Sequence, residues 1–465
     1  MKIPTQASGP ASTRTGSTLV IVLWVSFGLV SLALYFGHAN SIELRAADQR
    51  AAGIEAFQAI SGAARYAAHI ITNLDTPGVI SDLSVAPTYP YRAEAVVIGE
   101  SRFWFIGRDP DRLSTGMASQ ELPRFRLVDE ASRLNLNTAT VEMLELLPRM
   151  TPALAAAIID WRDADSEVTE MGAEDETYQR LNPPYRCKNA PFESVDELRL
   201  VAGMTPEILY GEDLNRNGIL DPNEDDLDLA EPMDNRDGRL DPGLFEFLTV
   251  HSRQSTLRAD GTARISIGAQ GRQELAALLE ERFGADRSNQ ILGTLGNTNQ
   301  VPASLLEFQL RTGMTVDEFV QIENDIIAGD AQQPATGLVN VNSAPEAVLA
   351  CIPGIGFEFA PTLVAYRQSN PNRRDTVAWV GEVLENAAAI EAGRYLTGRS
   401  TVYAADVAAV GRFGRGYRRV RYVLDASEGI LRIVQRQDLT HLGWALGRQA
   451  RQDLEQQQVM SRTSR

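Results

Sequence analysis

Residues 17 to 37 read STLVIVLWVSFGLVSLALYFG, an apolar run with no charge in it. At ~1.5 Å per residue a helix of about 20 residues spans ~30 Å, the hydrocarbon thickness of a bilayer. Such a segment must be buried in lipid or in a protein core, so it constrains everything that follows it. The preceding leader carries only Lys2 and Arg14, and the first charge after the run is Glu43. This asymmetry predicts a cytoplasmic N-terminus with the bulk of the chain across the membrane.

Three kinds of segment fit the run. A cleaved secretory signal has a shorter apolar core followed by a small-residue site such as Ala-x-Ala, which is missing here. An uncleaved signal anchor is the second reading. The third is a prepilin-type leader, cut by a peptidase on the amino side of the helix. The sequence Gly16-Ser17-Thr18-Leu19-Val20 favours the third, with processing between Gly16 and Ser17. The helix is expected to continue past the membrane. Phe57, Ile60, Ala64, Ala67, Ile71 and Leu74 recur at spacings of three and four, one face of an amphipathic helix. A continuous helix over 18–74 would be ~85 Å long, half in lipid and half against a soluble domain. Gly53 and Gly62 count against it.

A chain of 465 residues has room for two to four compact units. Its net charge of −17 disfavours phosphate backbones as partners and favours cations or basic proteins. Four histidines and two cysteines leave little for a transition-metal site. Cys187 and Cys351 either pair in an oxidising compartment or stay as thiols, and Cys351 lies in the apolar run Val348-Leu349-Ala350-Cys351-Ile352. No Ser/His/Asp order, nucleotide loop or paired-carboxylate pocket stands out, so no catalytic residue is assigned.

Residues 213–224 read DLNRNGILDPNE. Side-chain oxygens fall at positions 1, 3, 5 and 9 (Asp213, Asn215, Asn217, Asp221), glycine at 6 (Gly218) and a carboxylate at 12 (Glu224). Ile219 at position 7 would offer its backbone carbonyl. Calcium takes six to eight oxygens, and this spacing wraps them round one ion. A damaged copy follows: Asn235, Asp237 and Asp241 recur as ligands with Arg239 at the backbone position, but Met233 and Leu244 replace the first and last acids. A second ion there is the weaker expectation. The acidic segment 211–243 has few apolar residues, so calcium would be structural, ordering a stretch whose carboxylates otherwise repel. Its flanks lack two amphipathic helices, which makes it an isolated loop rather than a paired sensor.

Two segments repeat. Residues 134–162 read LNLNTATVEMLELLPRMTPALAAAIIDWR and residues 338–367 read LVNVNSAPEAVLACIPGIGFEFAPTLVAYR. Each predicts two helices around a short turn, a helix–hairpin–helix unit, with Asn137-Thr138 and Asn342-Ser343 as N-cap candidates. Such hairpins can bind DNA, and Pro353-Gly354-Ile355-Gly356 has amides suited to a phosphate. Neither copy has the Lys/Arg cluster this needs, so packing and protein contact are the favoured role.

The leader, the long N-terminal helix, LNLNTA with its helical hairpin, Asp160-Trp161-Arg162-Asp163, Asn182-Pro183-Pro184-Tyr185 and Phe192-Glu193-Ser194-Val195-Asp196-Glu197-Leu198 resemble the type II secretion minor pseudopilin K family. The resemblance covers most of 14–252 and 336–395. It implies a non-enzymatic subunit at the tip of a pseudopilus, serving protein export across the outer membrane. The implied partners are minor pseudopilins I and J, the major pseudopilin filament, a prepilin peptidase and the inner membrane, with no nucleic acid. It also implies calcium in the acidic stretch matching 213–241. Pilins generally carry Glu at the fifth mature position. Here that position is Ile21, an absence the K family shares, and it suits a subunit with nothing ahead of it. The alternative is a membrane-anchored DNA-uptake receptor, and a weaker one is an assembly factor of a related filament.

The expected fold is α+β: a pilin-like N-terminal helix and antiparallel sheet, with a large α-helical insertion. The expected units are a leader (1–16), the helix and first strands (17–125), a first helical domain (126–335) with the calcium insertion (211–243), a second hairpin domain (336–396), return strands (397–446) and a disordered tail (447–465). The role of 253–335, which holds a decayed repeat start at Ile265-Ser266-Ile267, is open.

Overall fold

A computed structural model describes residues 15–74, 78–79, 92–108, 124–227, 229, 234, 237–295, 301–329 and 333–463, with side chains from 18 to 456. One helix runs unbroken over Thr15–Thr72. Gly16 and Ser17 lie in its first turn, and their surroundings fall outside the described residues. The apolar residues from Leu19 to Phe36 are exposed. Among the described residues this is the one helix long and apolar enough to cross a membrane.

The second half of the helix packs on a sheet through Ala52, Ala56, Ala59, Ile60, Ala63, Ala67 and Ile70. Phe57, expected on this face, is 45% exposed. Alanines take the face because the backbones meet closely. A Cβ on Gly411 would lie 2.1 Å from the carbonyl oxygen of Ala52, and one on Gly416 2.3 Å from the nitrogen of Gly53. Gly53, a weak helix former, thus sits where the 411–416 turn crosses the helix. That turn is held by Arg412 on Glu55 (2.7 Å) and Arg415 on Asp48 (2.7 Å).

The sheet is antiparallel. Its order is Val96–Ile98, Ser101–Phe105, Val402–Val410, Arg418–Asp425, Arg432–Asp438, and Val128–Asp129 also pairs with Val402–Val410. All nine residues of Val402–Val410 are buried. Alternation explains this, since successive side chains face opposite sides of a sheet. Tyr403, Ala405, Val407 and Ala409 face the helix, whereas Ala408 and Val410 pack with Trp104 and Ile106 under the C-terminal segment. The fold is α+β as expected: a long N-terminal helix on an antiparallel sheet whose strands are split by a large helical insertion.

The insertion contains three modules, each closed by a two-residue parallel pair. Leu134–Asn135 pairs with Leu248–Thr249, Ile265–Ser266 with Ile326–Ile327, and Val339–Asn340 with Leu396–Thr397. The stretch 253–335 therefore holds a module of its own, with helices Arg272–Phe283, Ala285–Thr294, Leu305–Thr312 and Val316–Val320. Its Ser266 does the work of the asparagines. Asn135 Oδ1 accepts from the amide of Asn137 (2.8 Å), Asn340 Oδ1 from Asn342 (3.1 Å) and Ser266 Oγ from Gly268 (3.2 Å), the same local side-chain turn in each.

The structure corrects two sequence expectations. Asn137 and Asn342 are not N-caps. The helices start later, at Val141 with Thr140 as cap and at Glu346 after Pro345. Asn137 instead bonds both the amide (2.8 Å) and the carbonyl (3.0 Å) of Phe192, and Asn342 donates to the carbonyls of Thr376 and Gly398. These amides tie each repeat start to later segments of its module. Secondly, the described part of the tail is ordered. Gly447–Thr463 is a helix whose Ala450 and Leu454, spaced one turn apart, pack on the sheet with Trp104 and Ile106. Its polar composition hid a two-residue apolar stripe. Of the two states open to Cys187 and Cys351, the structure shows separate buried thiols.

Candidate metal centre

The segment 213–224 folds into a buried loop. Asp213, Asn215, Asn217 and Glu224 are between 0% and 7% exposed. Gly218 (φ 76°) and Arg216 (φ 56°) take left-handed conformations that turn the chain. Asp213 accepts from the amides of Asn217 (2.9 Å) and Gly218 (2.8 Å), and Asn217 Oδ1 from the amide of Ile219 (2.9 Å). Glu224 Oε1 accepts from Leu214 (2.9 Å) and its Oε2 from Asp221 (3.0 Å). Both Asn215 and Asn217 donate to Asp221 Oδ2, at 2.6 and 3.0 Å. The twelfth residue thus folds back on the first three, bringing Asp213, Asn215, Asn217, Asp221 and Glu224 into one knot, with Ile219 buried beside it.

The donors fit a hard cation. The Asn215 Oδ1 is buried and accepts no hydrogen bond. Burial pushes the Asp213 carboxyl up to about 6, against the pull of Arg108. Burial, then the charge of Asp213, push Glu224 up to about 8. Two buried acids that resist ionising together are what a divalent ion would relieve.

The described part of the second copy differs. Asn235 lies outside the described residues. Asp237 and Arg239 are exposed, and Asp237 accepts from the amide of Arg239 in its turn (2.8 Å). Asp241 faces Arg149 at 3.4 Å, and its amide donates to Glu212 (2.9 Å). Glycine 211 pairs with Pro242 to close the base of the whole insertion.

Charged residues that carry no sequence pattern hold the first loop in place. Arg419, fully buried, makes a two-point pair with Asp406 (2.9 and 2.6 Å) and donates to the carbonyls of Asn215 and Arg216. Arg108 donates to Arg216 O (2.6 Å) and to Glu246 (2.8 Å). Arg216 pairs with Asp196 (3.1 Å) and lies over the rings of Tyr210 (4.1 Å) and Phe245 (4.7 Å). Asn215 Nδ2 also donates to Trp444 O (3.3 Å). The loop is therefore the joint where the first helical module, the sheet and the C-terminal segment meet. Beneath it, Glu246 and Glu130 stay ionised. Burial opposes this, but Arg108 and Arg133 hold Glu246 low, and Arg421 and Arg133 hold Glu130 at about 2. The signal for these groups is a charge inside an otherwise apolar strand, as Asp406 is in Val402–Val410.

The turns of the two hairpins also take their places. Arg149 (φ 64°) and Gly354 (φ 82°) are the left-handed residues between their helices. A Cβ on Gly354 would lie 2.5 Å from Ala388 O, so this glycine serves helix packing. Arg162 and Arg367 each reach back to carbonyls of their own repeat start, Leu136 and Ala139 or Val341 and Ala344.

Residues 128–210, the first module up to the edge of the acidic loop, match the family model for type II secretion system (T2SS) protein K. The first helical module is therefore similar to type II secretion system protein K. Similar relatives carry the same name. The protein from Klebsiella pneumoniae is 43% identical over 67 residues, 14% of this chain and 21% of that protein. The one from Aeromonas hydrophila is 35% identical over 97 residues, 21% and 28% of the two chains. The alignments thus span about a quarter of the curated relatives. A solved structure, the GspK-GspI-GspJ complex from the enterotoxigenic Escherichia coli type 2 secretion system, aligns over 85% of this chain and 99% of that chain, at 12% identity and a TM-score of 0.37. The matched segment supplies Asp196 and Tyr210, which hold Arg216 of the loop.

Proposed function

We propose that this chain is a minor pseudopilin, the K subunit of a type II secretion pseudopilus, acting structurally in protein export across the outer membrane. The observation that carries the reading is the protein K match over 128–210. The exposed apolar half of the N-terminal helix supports a single inner-membrane anchor with the remaining chain in the periplasm. Ile21 supports a place at the tip, where no subunit ahead requires a carboxylate. The partners in this reading are pseudopilins I and J below it, then the major pseudopilin filament, with a prepilin peptidase acting at Gly16–Ser17.

Calcium fits the knot of Asp213, Asn215, Asn217, Asp221 and Glu224, with the Ile219 carbonyl as a further donor. The ion supplies positive charge to a buried acidic loop and nothing catalytic. Asn235, Asp237, Arg239 and Asp241 are a weaker second position, because the described ones are exposed or engaged by Arg149. The helix–hairpin–helix units serve packing in this reading. No observation favours DNA uptake: the chain carries −17 and Gly354 is filled by a neighbouring helix.

N-terminal sequencing of the protein from its native membrane tests the assignment. Ser17 is the expected first residue. An intact leader, or a start beyond the apolar run, would remove the pseudopilin reading.

A further inference from the structure

We propose that the cavity between the third helical module, the end of the N-terminal helix and the sheet binds a small carboxylate with an apolar body, gripped by Arg264. The cavity measures about 150 Å³, room for a ligand the size of benzene. Ile71 and Leu74 of the helix, Leu257 of the third module and Tyr403 of the sheet give it apolar walls. Arg258, Arg264 and Arg399 also line it, so three cations meet around one small space.

Local structure puts two of them there. Residues 256–264 form a short hairpin, in which the amide of Arg258 donates to Thr262 O and that of Arg264 to Thr256 O, both at 2.8 Å. Leu257 pairs with Ala263 across it, and Gly261 (φ 83°) turns its tip. Thr401 Oγ1 donates to Arg253 O (2.7 Å) and fixes the root of the hairpin on the sheet. Arg399 enters from the other side, just past the strand Leu396–Thr397.

Arg264 is 8% exposed. Among the described residues its guanidinium makes one hydrogen bond, from Nε to Leu257 O (3.2 Å), and no ion pair. Both of its Nη nitrogens therefore lack an acceptor, and Arg258 Nε is likewise buried without one. Arginine is almost never this buried unless it is paired. The nearby acids are turned elsewhere: Glu323 Oε1 accepts from the amide of Val377 (3.1 Å), and Asp325 faces Arg282 at 3.8 Å. Burial, and after it the charge of Arg399, push the Arg264 guanidinium down to about 10, against the pull of Glu323 and Asp325. An anion in the cavity relieves both effects. The fork of guanidinium N–H groups matches the two oxygens of a carboxylate, and the apolar walls suit an alkyl body better than a phosphate, whose charge they would desolvate. Such a group occurs on a free short-chain acid and at the end of a peptide whose last residue is small and apolar. Once bound, it would join the third module to the sheet and the N-terminal helix.

The test is a calorimetric titration of the full-length chain in non-ionic detergent with four probes: valerate, a peptide ending in valine, the same peptide amidated, and phosphate. Saturable binding of valerate or of the free peptide end is expected, and neither the amide nor phosphate should match it. Binding of valerate alone identifies a free acid as the source, and binding of the peptide alone a chain end. Arg264→Met should weaken the bound carboxylate by about tenfold to a hundredfold, the loss of a charge-assisted partner, and should melt no lower than the parent without ligand. An arginine that only supports the fold would instead lower the melting temperature and leave binding unchanged. Ala426→Leu adds bulk to the cavity wall and keeps the arginines. It should abolish binding, and it decides if Arg264→Met fails to fold. The proposal is overturned if no carboxylate binds at millimolar concentration, if phosphate binds as well as valerate, or if a folded variant binds like the parent.

Discussion

Glu224→Gln is expected to change stability in opposite directions with and without calcium. In the metal-free protein Glu224 is buried at 0% exposure, and its carboxyl is raised from an ordinary 4.5 to about 8 by burial and then by Asp213. A raised carboxyl favours the folded state only while it stays protonated. Above pH 4.5 the unfolded chain ionises and the folded one resists, so stability drains away as pH rises from 4.5 to 8. Glutamine keeps the shape, carries no charge and escapes that loss. With calcium the logic reverses, because the ion stabilises two ionised acids together. An ion present at 100 times its dissociation constant adds ~2.7 kcal/mol, and a loop lacking its last carboxylate forfeits most of that. Melting curves of the full-length chain at pH 8 should cross: the variant melts below the parent in calcium, and level with it or above in chelator. At pH 5 in chelator the difference should shrink. A variant that shifts the same way in both conditions would refute the ligand role.

Arg419→Met should be the most damaging single change at the joint. Arg419 is fully buried, pairs with Asp406 through two bonds, and satisfies the carbonyls of Asn215 and Arg216. Truncating it leaves Asp406, itself 6% exposed, as an uncompensated charge. Breaking a buried pair in this way costs ~3–5 kcal/mol. The double change Arg419→Met with Asp406→Leu removes the stranded charge as well, and should recover much of the loss. It should not restore calcium affinity, since the loop carbonyls still lack their donors. Urea unfolding and calcium titration of the three proteins read the two effects separately. Equal instability in the single and double variants would mean the pair contributes only packing.

The features legible in the sequence were those with period or spacing. The apolar run, the alternating strands between 400 and 435 and the repeats at 134 and 338 each announced an element. The third module was nearly lost because Ser266 stands where the others have Asn135 and Asn340, though a hydroxyl makes the same turn. That Asp213, Asn215, Asn217, Asp221 and Glu224 gather in one buried loop was legible in their spacing. The loop's anchoring was not, because Arg108 and Arg419 each look like an ordinary surface charge until the sheet buries them, and only Asp406 stands out in an apolar strand. The C-terminal helix escaped for a similar reason, as only Ala450 and Leu454 touch the core.

The central claim is that this chain is the K subunit of a pseudopilus, with its insertion locked to the sheet by calcium. Co-purification of the full-length protein with the candidate I and J pseudopilins, in calcium and in chelator, tests it most directly. The account predicts a stable complex of all three in calcium, weakened in chelator and in Asp213→Ala. A chain that elutes alone in calcium, while I and J still pair with each other, would contradict it.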